Sequence, residues 1–443
     1  MRRRTLLVLL VALAMIAGAC GSDDTSDTTS APVAATTTTT TAGATDATTT
    51  TVEEMVPCST STPESCAGTI VLGAAVSETG RFAREGKDTR QGYGVWADWV
   101  NEEYGGINVG GDHYLVELIQ YDDEGDADTA ANLVERLITE DEVDFLLGPY
   151  SSGLTMGTSA IAEKYGVIMV EGNGASETIF ERGFENIFAV LTPAGNYTQT
   201  AIKALADAGA ETMVLAYEDT AFPTSVAQGA LKWAEEYGLE VLGTETYPLN
   251  VADVSAIMTK FKDTGADIFV GGGHFNDALL FVRGAKDVGW TPKGMVLTVG
   301  PSNPEFAAEV GKDANYILGP TQWEASMSWS DDWFGTAAEF AARYEEKWGE
   351  PPSYQAAEST ATGLALHLAI ELAASLDTDA VREALYALNV NTFYGPIDFD
   401  ETGKNAGKPM GAIQILDGVT QVVAPAEAKV ADLVYPMPAW EDR

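Results

Sequence analysis

The chain has 443 residues, of which 45% are hydrophobic and 21% charged, enough for two or three compact domains of ordinary globular composition. It carries 25 Lys and Arg against 66 Asp and Glu, a formal charge of −41, which repels phosphate backbones and argues against nucleic-acid binding. Only 3 His and 3 Cys are present, with none at metal-ligand spacing. A zinc or haem enzyme is therefore disfavoured, and no cofactor is predicted.

The first twenty residues predict an export signal. Three Arg at 2–4 precede an apolar run at 6–16, which is too short to span a bilayer. The small residues before Cys20 resemble a bacterial lipobox, although Ala17 stands where Leu is preferred. Residues 1–19 would then be removed as a signal peptide, and Cys20 would be lipidated. The alternative is an ordinary signal peptide with a chance cysteine.

A polar segment follows the signal. Residues 20–56 are rich in Thr, Ser and Ala and cannot bury enough surface to offset their ordering entropy, so they are predicted to form a disordered tether. Cys58 and Cys66 come next, and a local disulfide is predicted in an exported protein. A redox or catalytic role for the pair is the alternative. The folded body begins at this point.

From residue 69 onward, strand-like and helix-like segments alternate. Strands are predicted at 70–76, 114–121, 143–147, 167–170, 212–217, 239–247, 267–270 and 295–299. Helices are predicted at 88–103, 128–139, 225–237, 254–264 and 278–288, with another after the GPYSSG turn (148–153). Repeated βα units with Gly-rich turns predict an α/β fold with two doubly wound parallel-sheet lobes and a cleft between them.

Candidate ligand contacts lie just beyond the predicted strands, where helix N-termini present unpaired N–H groups. Ser151 and Ser152 in the GPYSSG turn can donate to an anion such as a carboxylate, or merely cap the following helix. The GNGAS turn (172–176) has the same placement, and its glycines let backbone approach a ligand closely. Aromatic rings also follow strands, namely Phe82, Phe222, Phe275 and Trp323, with His274 next to Phe275.

No catalytic pattern accompanies these residues. His274 lacks a nucleophile motif, since no G-x-S-x-G occurs in the chain. The Asp122-Asp123 pair is best interpreted as a solvated turn or helix cap. The chain is therefore predicted not to be an enzyme.

Ordered motifs across residues 69–430 resemble the solute-binding proteins of branched-chain amino-acid and amide ABC importers. These motifs are IVLGAAVSETGRFAREG (70–86), YGGI (104–107), YDDEGDADTAANLVERLI (121–138), LLGPYSSG (146–153), ERGFENIF (181–188) and AYEDTAF (216–222). The resemblance implies a type I periplasmic binding protein fold, in which two lobes joined by a three-segment hinge close on a ligand. Lobe 1 would comprise 57–191 and 320–390, and lobe 2 would comprise 192–319, with 391–443 returning to lobe 2.

The resemblance also implies roles for particular residues. Ser152 matches the serine that holds the ligand carboxylate in the family. The usual S-A-T turn falls on Asn173, Gly174 and Ala175, so its threonine hydroxyl is missing, and Ser176 is the candidate substitute. Among the aromatic positions, Phe222 matches a usual aromatic residue, His274 stands where a Tyr is common, and Phe275 matches a second aromatic.

One departure concerns the acid that pairs with a ligand ammonium in amino-acid binders. The family has it near a G-P-E turn, but this chain has Ser302 after Gly300 and Pro301. A buried ammonium without a partner is costly, so Glu85 or Glu171 is the expected substitute, while a carboxylate, amide or aromatic acid ligand stays open.

The resulting prediction is a monomeric, lipid-anchored solute-binding protein on the outer face of a bacterial cell membrane. It would bind an amino acid, amide or carboxylate and deliver it to an ABC permease. The alternative is a ligand sensor with the same fold and no role in transport.

Overall fold

The computed structural model describes residues 57–443. The predicted signal peptide, Cys20 and the tether lie outside this range. At its start, Cys58 and Cys66 form the predicted disulfide.

The first sheet is built mainly from βα units. Its strands are β1 (Gly68–Ala75), β2 (Ile107–Val109), β3 (Asp112–Tyr121), β4 (Phe145–Leu147), β5 (Met169–Glu171) and β6 (Ile187–Ala189). Their order is β2-β3-β1-β4-β5-β6, and every pair except β2–β3 is parallel. Helices α1 (Ala83–Trp99), α2 (Ala127–Thr139) and α3 (Ser152–Tyr165) connect these strands.

The chain then crosses to a second sheet. Its parallel strands are β7 (Thr212–Glu218), β8 (Glu240–Tyr247), β9 (Ile268–Gly272), β10 (Gly294–Leu297) and β11 (Leu318–Thr321). The accompanying helices are α4 (Gln199–Asp207), α5 (Ala221–Glu236), α6 (Ser255–Thr264), α7 (Phe275–Asp287) and α8 (Pro304–Val310).

After β11 the chain returns to the first lobe. This segment contains α9 (Ala337–Trp348), α10 (Tyr354–Ala373), α11 (Thr378–Ala387) and the hairpin β12 (Asn389–Thr392) and β13 (Gly395–Asp398). The hairpin contributes Phe393 and Ile397 to the same buried core as Leu72 of β1 and Trp96 of α1. The predicted return to lobe 2 at residue 391 is therefore corrected, because the apolar side chains of the hairpin are buried in lobe 1.

The second sheet is completed by the last two strands. β14 (Gly411–Leu416) and β15 (Val419–Ala424) give the order β15-β14-β11-β10-β9-β7-β8, with β14 antiparallel to both neighbours. Two lobes with mainly parallel sheets confirm the predicted α/β class.

Three chain crossings join the lobes, and buried polar contacts tie them together. The Gln322 side chain donates to the carbonyl of Thr192 at 3.1 Å and accepts from its N–H at 3.2 Å. The Lys408 ammonium donates to the backbone carbonyl and to the side-chain oxygen of Gln322. The backbone carbonyl of Lys408 accepts a hydrogen bond from the Thr192 hydroxyl at 2.9 Å. One residue from each crossing thus takes part in a single network, which couples the three segments of the hinge.

Between residues 57 and 443, no lone helix combines the length and apolar character needed to cross a membrane; only the bent pair α10 and α11 meets that criterion together. The same range contains no cluster of three or more His, Cys, Asp or Glu side chains suited to a metal ion.

Candidate ligand-binding site

A cavity lies between the lobes, where the loops after several strands meet. Its free volume is only ≈ 10 Å³, about the space of one water molecule, so the lobes must separate slightly to admit a solute. It lies beyond the carboxyl ends of the parallel strands, the usual position for ligands in open α/β sheets. Lobe 1 contributes Tyr150, Ser151, Asn173, Tyr354 and Glu358; lobe 2 contributes Phe222, His274 and Val299; Tyr197 comes from the segment that leads into α4. A ligand in this cavity would contact both lobes.

Aromatic side chains form much of its wall and join the lobes. The Tyr150 hydroxyl lies 2.7 Å from Nδ1 of His274, and the Phe82 ring packs edge-on against both, with centroid distances of 5.3 and 5.0 Å. Phe222 packs edge-on against Tyr197 at 5.1 Å. Burial, helped by the charge of Arg81, lowers the pKa of His274 to about 3, so its imidazole is neutral at physiological pH.

Glu358 is the acid that lines the cavity. It lies on α10 and is buried, and one of its carboxylate oxygens accepts a hydrogen bond from the Tyr394 hydroxyl at 2.9 Å. Burial raises the pKa of Glu358 well above its usual range, although Tyr394 and Lys408 oppose the shift. Because the Tyr394 hydroxyl also lies 3.3 Å from Gln322, this carboxyl group is connected to the hinge network.

Asn173 presents an oxygen to the same cavity. Its amide lies 3.0 Å from the Ser359 hydroxyl, whose hydrogen is donated to the carbonyl of Gln355 at 2.7 Å. Ser359 can therefore only accept from Asn173, which places the amide nitrogen on that side. The opposite atom, Oδ1, is buried without a hydrogen-bond partner among the described residues.

The structure brings together four of the predicted site residues, Ser151, Asn173, Phe222 and His274, as cavity lining. Phe82 lies in the next layer and lines a groove outside the cavity. Ser152 and Ser176 lie behind the wall: the Ser152 hydroxyl accepts from the backbone N–H of Ser176 at 3.0 Å, and the Ser176 hydroxyl lies 2.8 Å from that of Ser225 on α5. The contact between Ser176 and Ser225 therefore ties the lobes to each other, whereas Ser152 holds the turn that carries Ser176.

The two residues between Asn173 and Ser176 are also behind the cavity. Ala175 is buried in an apolar cluster that contains residues of both lobes. A Cβ at Gly174 would lie 2.7 Å from the Thr155 hydroxyl, so the glycine is needed for close packing.

Two of the predicted aromatic contacts belong to the lobe cores. Phe275 is packed in the core of lobe 2, with the Arg84 guanidinium 3.8 Å from the ring centroid. Trp323 is in the core of lobe 1 and donates its indole N–H to the carbonyl of Phe393 at 3.0 Å.

The sequence predicts Glu85 or Glu171 in place of the acid that the family has where Ser302 stands, but neither is part of the cavity lining. Glu85 is buried near the start of α1, and burial raises its pKa to about 7. Glu171, at the end of β5, accepts from the Thr155 hydroxyl at 3.0 Å, and burial raises its pKa to about 8.

Five lining residues were not singled out from the sequence: Tyr150, Tyr197, Val299, Tyr354 and Glu358. Glu358 leaves a recognisable signal, because it is the only acidic residue between 354 and 370, and the side chains of that stretch are nearly all buried. A buried acid that no structural partner fully satisfies indicates a functional position.

Comparison with known proteins finds matches over most of the chain. Residues 69–419 match the family model described as periplasmic binding protein. Leu/Ile/Val-binding protein homolog 7 of Brucella abortus is 26% identical over 386 residues, which cover 83% of this chain and 94% of the relative. Homolog 8 of Brucella suis is 25% identical over 403 residues, covering 86% of this chain and 96% of the relative.

Solved structures show the same architecture. The leucine-binding protein LivK of Thermotoga maritima aligns with a TM-score of 0.70 and 22% identity, over 80% of this chain and 98% of the other. A solute-binding protein of an ABC transporter from R. palustris, in complex with benzoate, aligns with a TM-score of 0.68 and 19% identity, over 84% and 99%. At these identities the likeness establishes the fold.

Proposed function

This chain belongs to the periplasmic binding protein family, and we propose that it captures a small solute between its lobes and delivers it to an ABC permease. The family is extracytoplasmic and binds solutes rather than transforming them. Anchoring through a lipid on Cys20, action as a monomer and docking to a permease are parts of the same proposal. The relatives bear names for branched-chain amino-acid binding, which makes amino acids and related amides or carboxylates the first solutes to test.

The observation that carries the proposal is the composition of the cavity wall. Its polar groups, such as Ser151, Asn173 and His274, come from both lobes, so separation of the lobes would divide them. A solute that contacts both lobes binds the closed form more tightly than the open one, and thereby shifts the equilibrium toward closure. A hinge of three crossings allows such a motion while each sheet stays intact.

A thermal-shift screen of the purified protein tests the proposal. The panel would contain amino acids, amides, urea and aromatic carboxylates, and a solute at a hundred times its dissociation constant should add about 2.7 kcal/mol of stability. Phe222→Ala, in the cavity wall, should abolish the shift. Phe184→Ala, in a groove on lobe 1 away from the cavity, should retain it. A shift that survives Phe222→Ala would place the binding elsewhere and contradict the proposal.

The ion pair between Arg81 and Glu218 supports closure directly. Arg81 lies between β1 and α1 in lobe 1, Glu218 ends β7 in lobe 2, and their side chains meet at 2.9 Å with Glu218 buried. Arg81→Ala should lower solute affinity by about a hundredfold or more, because leaving a buried charge without its partner costs about 3–5 kcal/mol, and only the closed form is affected. Calorimetry measures the affinity, and X-ray scattering measures the radius of gyration, which should increase.

Arg343→Ala is the matched control for that variant. Arg343 pairs with Glu103, and both belong to lobe 1, so its loss should leave affinity and radius of gyration unchanged. Equal behaviour of the two variants would show that the Arg81 pair does not contribute to closure.

A further inference from the structure

We infer that the solute presents a protonated amine, which is held by the carboxylate of Glu358 and by Oδ1 of Asn173 at the wall of the cavity. The inference rests on the proposed function, since it names the chemical class of the solute for that site. Both residues belong to lobe 1, whereas the family position for such an acid, occupied here by Ser302, belongs to lobe 2.

The part of the wall formed by Asn173 and Glu358 favours a ligand that donates hydrogen bonds. Oδ1 of Asn173 can only accept, and it has no partner among the described residues. One carboxylate oxygen of Glu358 accepts from Tyr394, and no hydrogen bond from residues 57–443 reaches the other. A buried acceptor left without a donor costs about 1–3 kcal/mol, and this cost applies to Oδ1 of Asn173. A solute with several N–H groups could satisfy Oδ1 and also reach the second oxygen of Glu358.

The charges around the cavity favour a cation over a neutral donor. Lys408 directs its ammonium to Gln322 and makes no hydrogen bond to Glu358, although its charge acts on that carboxyl group through space. Arg81 is paired with Glu218 at 2.9 Å. The cavity therefore carries a carboxyl group with no cation bound directly to it.

The rings of the wall suit the same group. Tyr150, Tyr197, Phe222 and Tyr354 line the cavity together. The faces of such rings carry negative potential and attract an ammonium group, by about 0.5–2 kcal/mol depending on desolvation.

The other candidate acids are positioned less well. Glu85 and Glu171 lie outside the lining, and Glu171 is engaged by the Thr155 hydroxyl and the backbone N–H of Asn173. Ser302 donates its hydroxyl to the carbonyl of Val299 at 3.1 Å and also lies outside the lining. Glu358 is thus the acid that a solute in the cavity would meet.

Calorimetric titration of the purified protein with matched solutes tests this assignment. Each of several carbon skeletons (methyl, isobutyl, isoamyl and benzyl) would be offered as an amine, a carboxamide and a carboxylate, together with leucine as an α-amino acid. We expect at least one amine or leucine to bind more tightly than the carboxamide and carboxylate of the same skeleton.

Variants of the three acids identify the partner of the amine. Glu358→Gln keeps the shape and removes the carboxyl group that can give up its proton when an amine binds and then pair with the ammonium, so amine affinity should fall about 10- to 100-fold, as expected for loss of a charge-assisted hydrogen bond. Glu85→Gln and Glu171→Gln should change it less than threefold. Thermal unfolding without solute checks that each variant is folded. Asn173→Ala removes the second proposed acceptor, Oδ1, and should also weaken amine binding.

The inference is overturned if no amine and no amino acid binds, if a carboxylate or carboxamide binds more tightly than its amine, or if Glu358→Gln retains full amine affinity. Carboxylate or carboxamide binding that Phe222→Ala abolishes would reject the amine while leaving the proposed function in place. If no compound of any class binds, both the inference and the proposed function fail.

Discussion

Gly92→Ala should destabilise the protein by about 2–3 kcal/mol, whereas Gly94→Ala, two residues along the same helix, should stabilise it slightly. A Cβ at Gly92 would lie 2.3 Å from the carbonyl oxygen of Ala356 and 2.8 Å from Cβ of Ser359. The first of these is backbone of α10 and cannot rotate away, so α1 and α10 would have to separate. The measurement is the free energy of unfolding in urea for both variants.

Gly94 provides the control because its environment is open. A Cβ there would meet only the Trp348 ring at 3.6 Å, an ordinary contact, and replacing Gly by Ala within a helix gains about 0.5–1 kcal/mol. Equal effects of the two substitutions would show that the close approach of α1 and α10 is not needed. Since α10 also carries Tyr354 and Glu358, Gly92→Ala should weaken solute binding as well.

Lowering the pH from 7 to 5 should increase the stability of the protein. Seven carboxyl groups among residues 57–443 have pKa values raised mainly by burial, which disfavours their charged form. The pKa is about 6 for Asp123 and Asp277, about 7 for Glu85 and Asp88, about 8 for Glu171 and Glu324, and well above the usual range for Glu358. In the unfolded chain such groups titrate near pH 4. Between about pH 4 and the raised pKa of each group, the folded state binds more protons than the unfolded state, so the free energy of unfolding falls as the pH rises.

The size of the effect follows from proton linkage. Each such group contributes at most about 1.4 kcal/mol per pH unit within its window. Lys408 and His274 act in the opposite sense. Burial lowers the pKa of Lys408 to about 7, so the unfolded chain binds the extra proton above that pH. Burial lowers the pKa of His274 to about 3, so the unfolded chain binds the extra proton below about pH 6.5, but this single group is outweighed by the carboxyl groups between pH 7 and 5. Stability should therefore pass through a minimum near neutral pH.

Urea unfolding at pH 5, 6 and 7 measures this dependence. Glu171→Gln and Glu324→Gln each remove one of the titrating groups and should make the dependence shallower. Glu339→Gln is the control, because the pKa of Glu339 is lowered by hydrogen bonds from Thr336, and its loss should not reduce the gain on acidification. A protein that loses stability between pH 7 and pH 5 would contradict the prediction.

Local sequence patterns predicted most of the secondary structure and failed where helices enter the cleft. The strands at 114–121 and 212–217 lie within one or two residues of β3 and β7. Helices α1, α5 and α7 instead begin at Ala83, Ala221 and Phe275, earlier than predicted. Their first turns carry residues that face the other lobe, and these residues do not follow the apolar periodicity of a helix packed on one sheet.

The candidate site was likewise predictable only in part. Ser151, Asn173, Phe222 and His274 could be identified because each follows a strand, and in a parallel sheet all such positions converge on one edge. Ser152 has the same placement, yet its hydroxyl is engaged by the backbone of Ser176. Whether Ser151 or Ser152 faces the cavity depends on the backbone conformation of the turn between β4 and α3.

By itself the sequence determined the α/β class, the order of the βα units and the edge of the sheets where ligands collect, because all three depend on periodicities within about twenty residues. Only the tertiary structure decided which acid lines the cavity. Glu358 lies 185 residues from Asn173, and the two are brought together because α10 packs against the turn after β5, where a Cβ at Gly172 would lie 2.5 Å from the Thr362 hydroxyl. Such a contact is set by the fit of a helix against a distant turn, and no local pattern of residues encodes it.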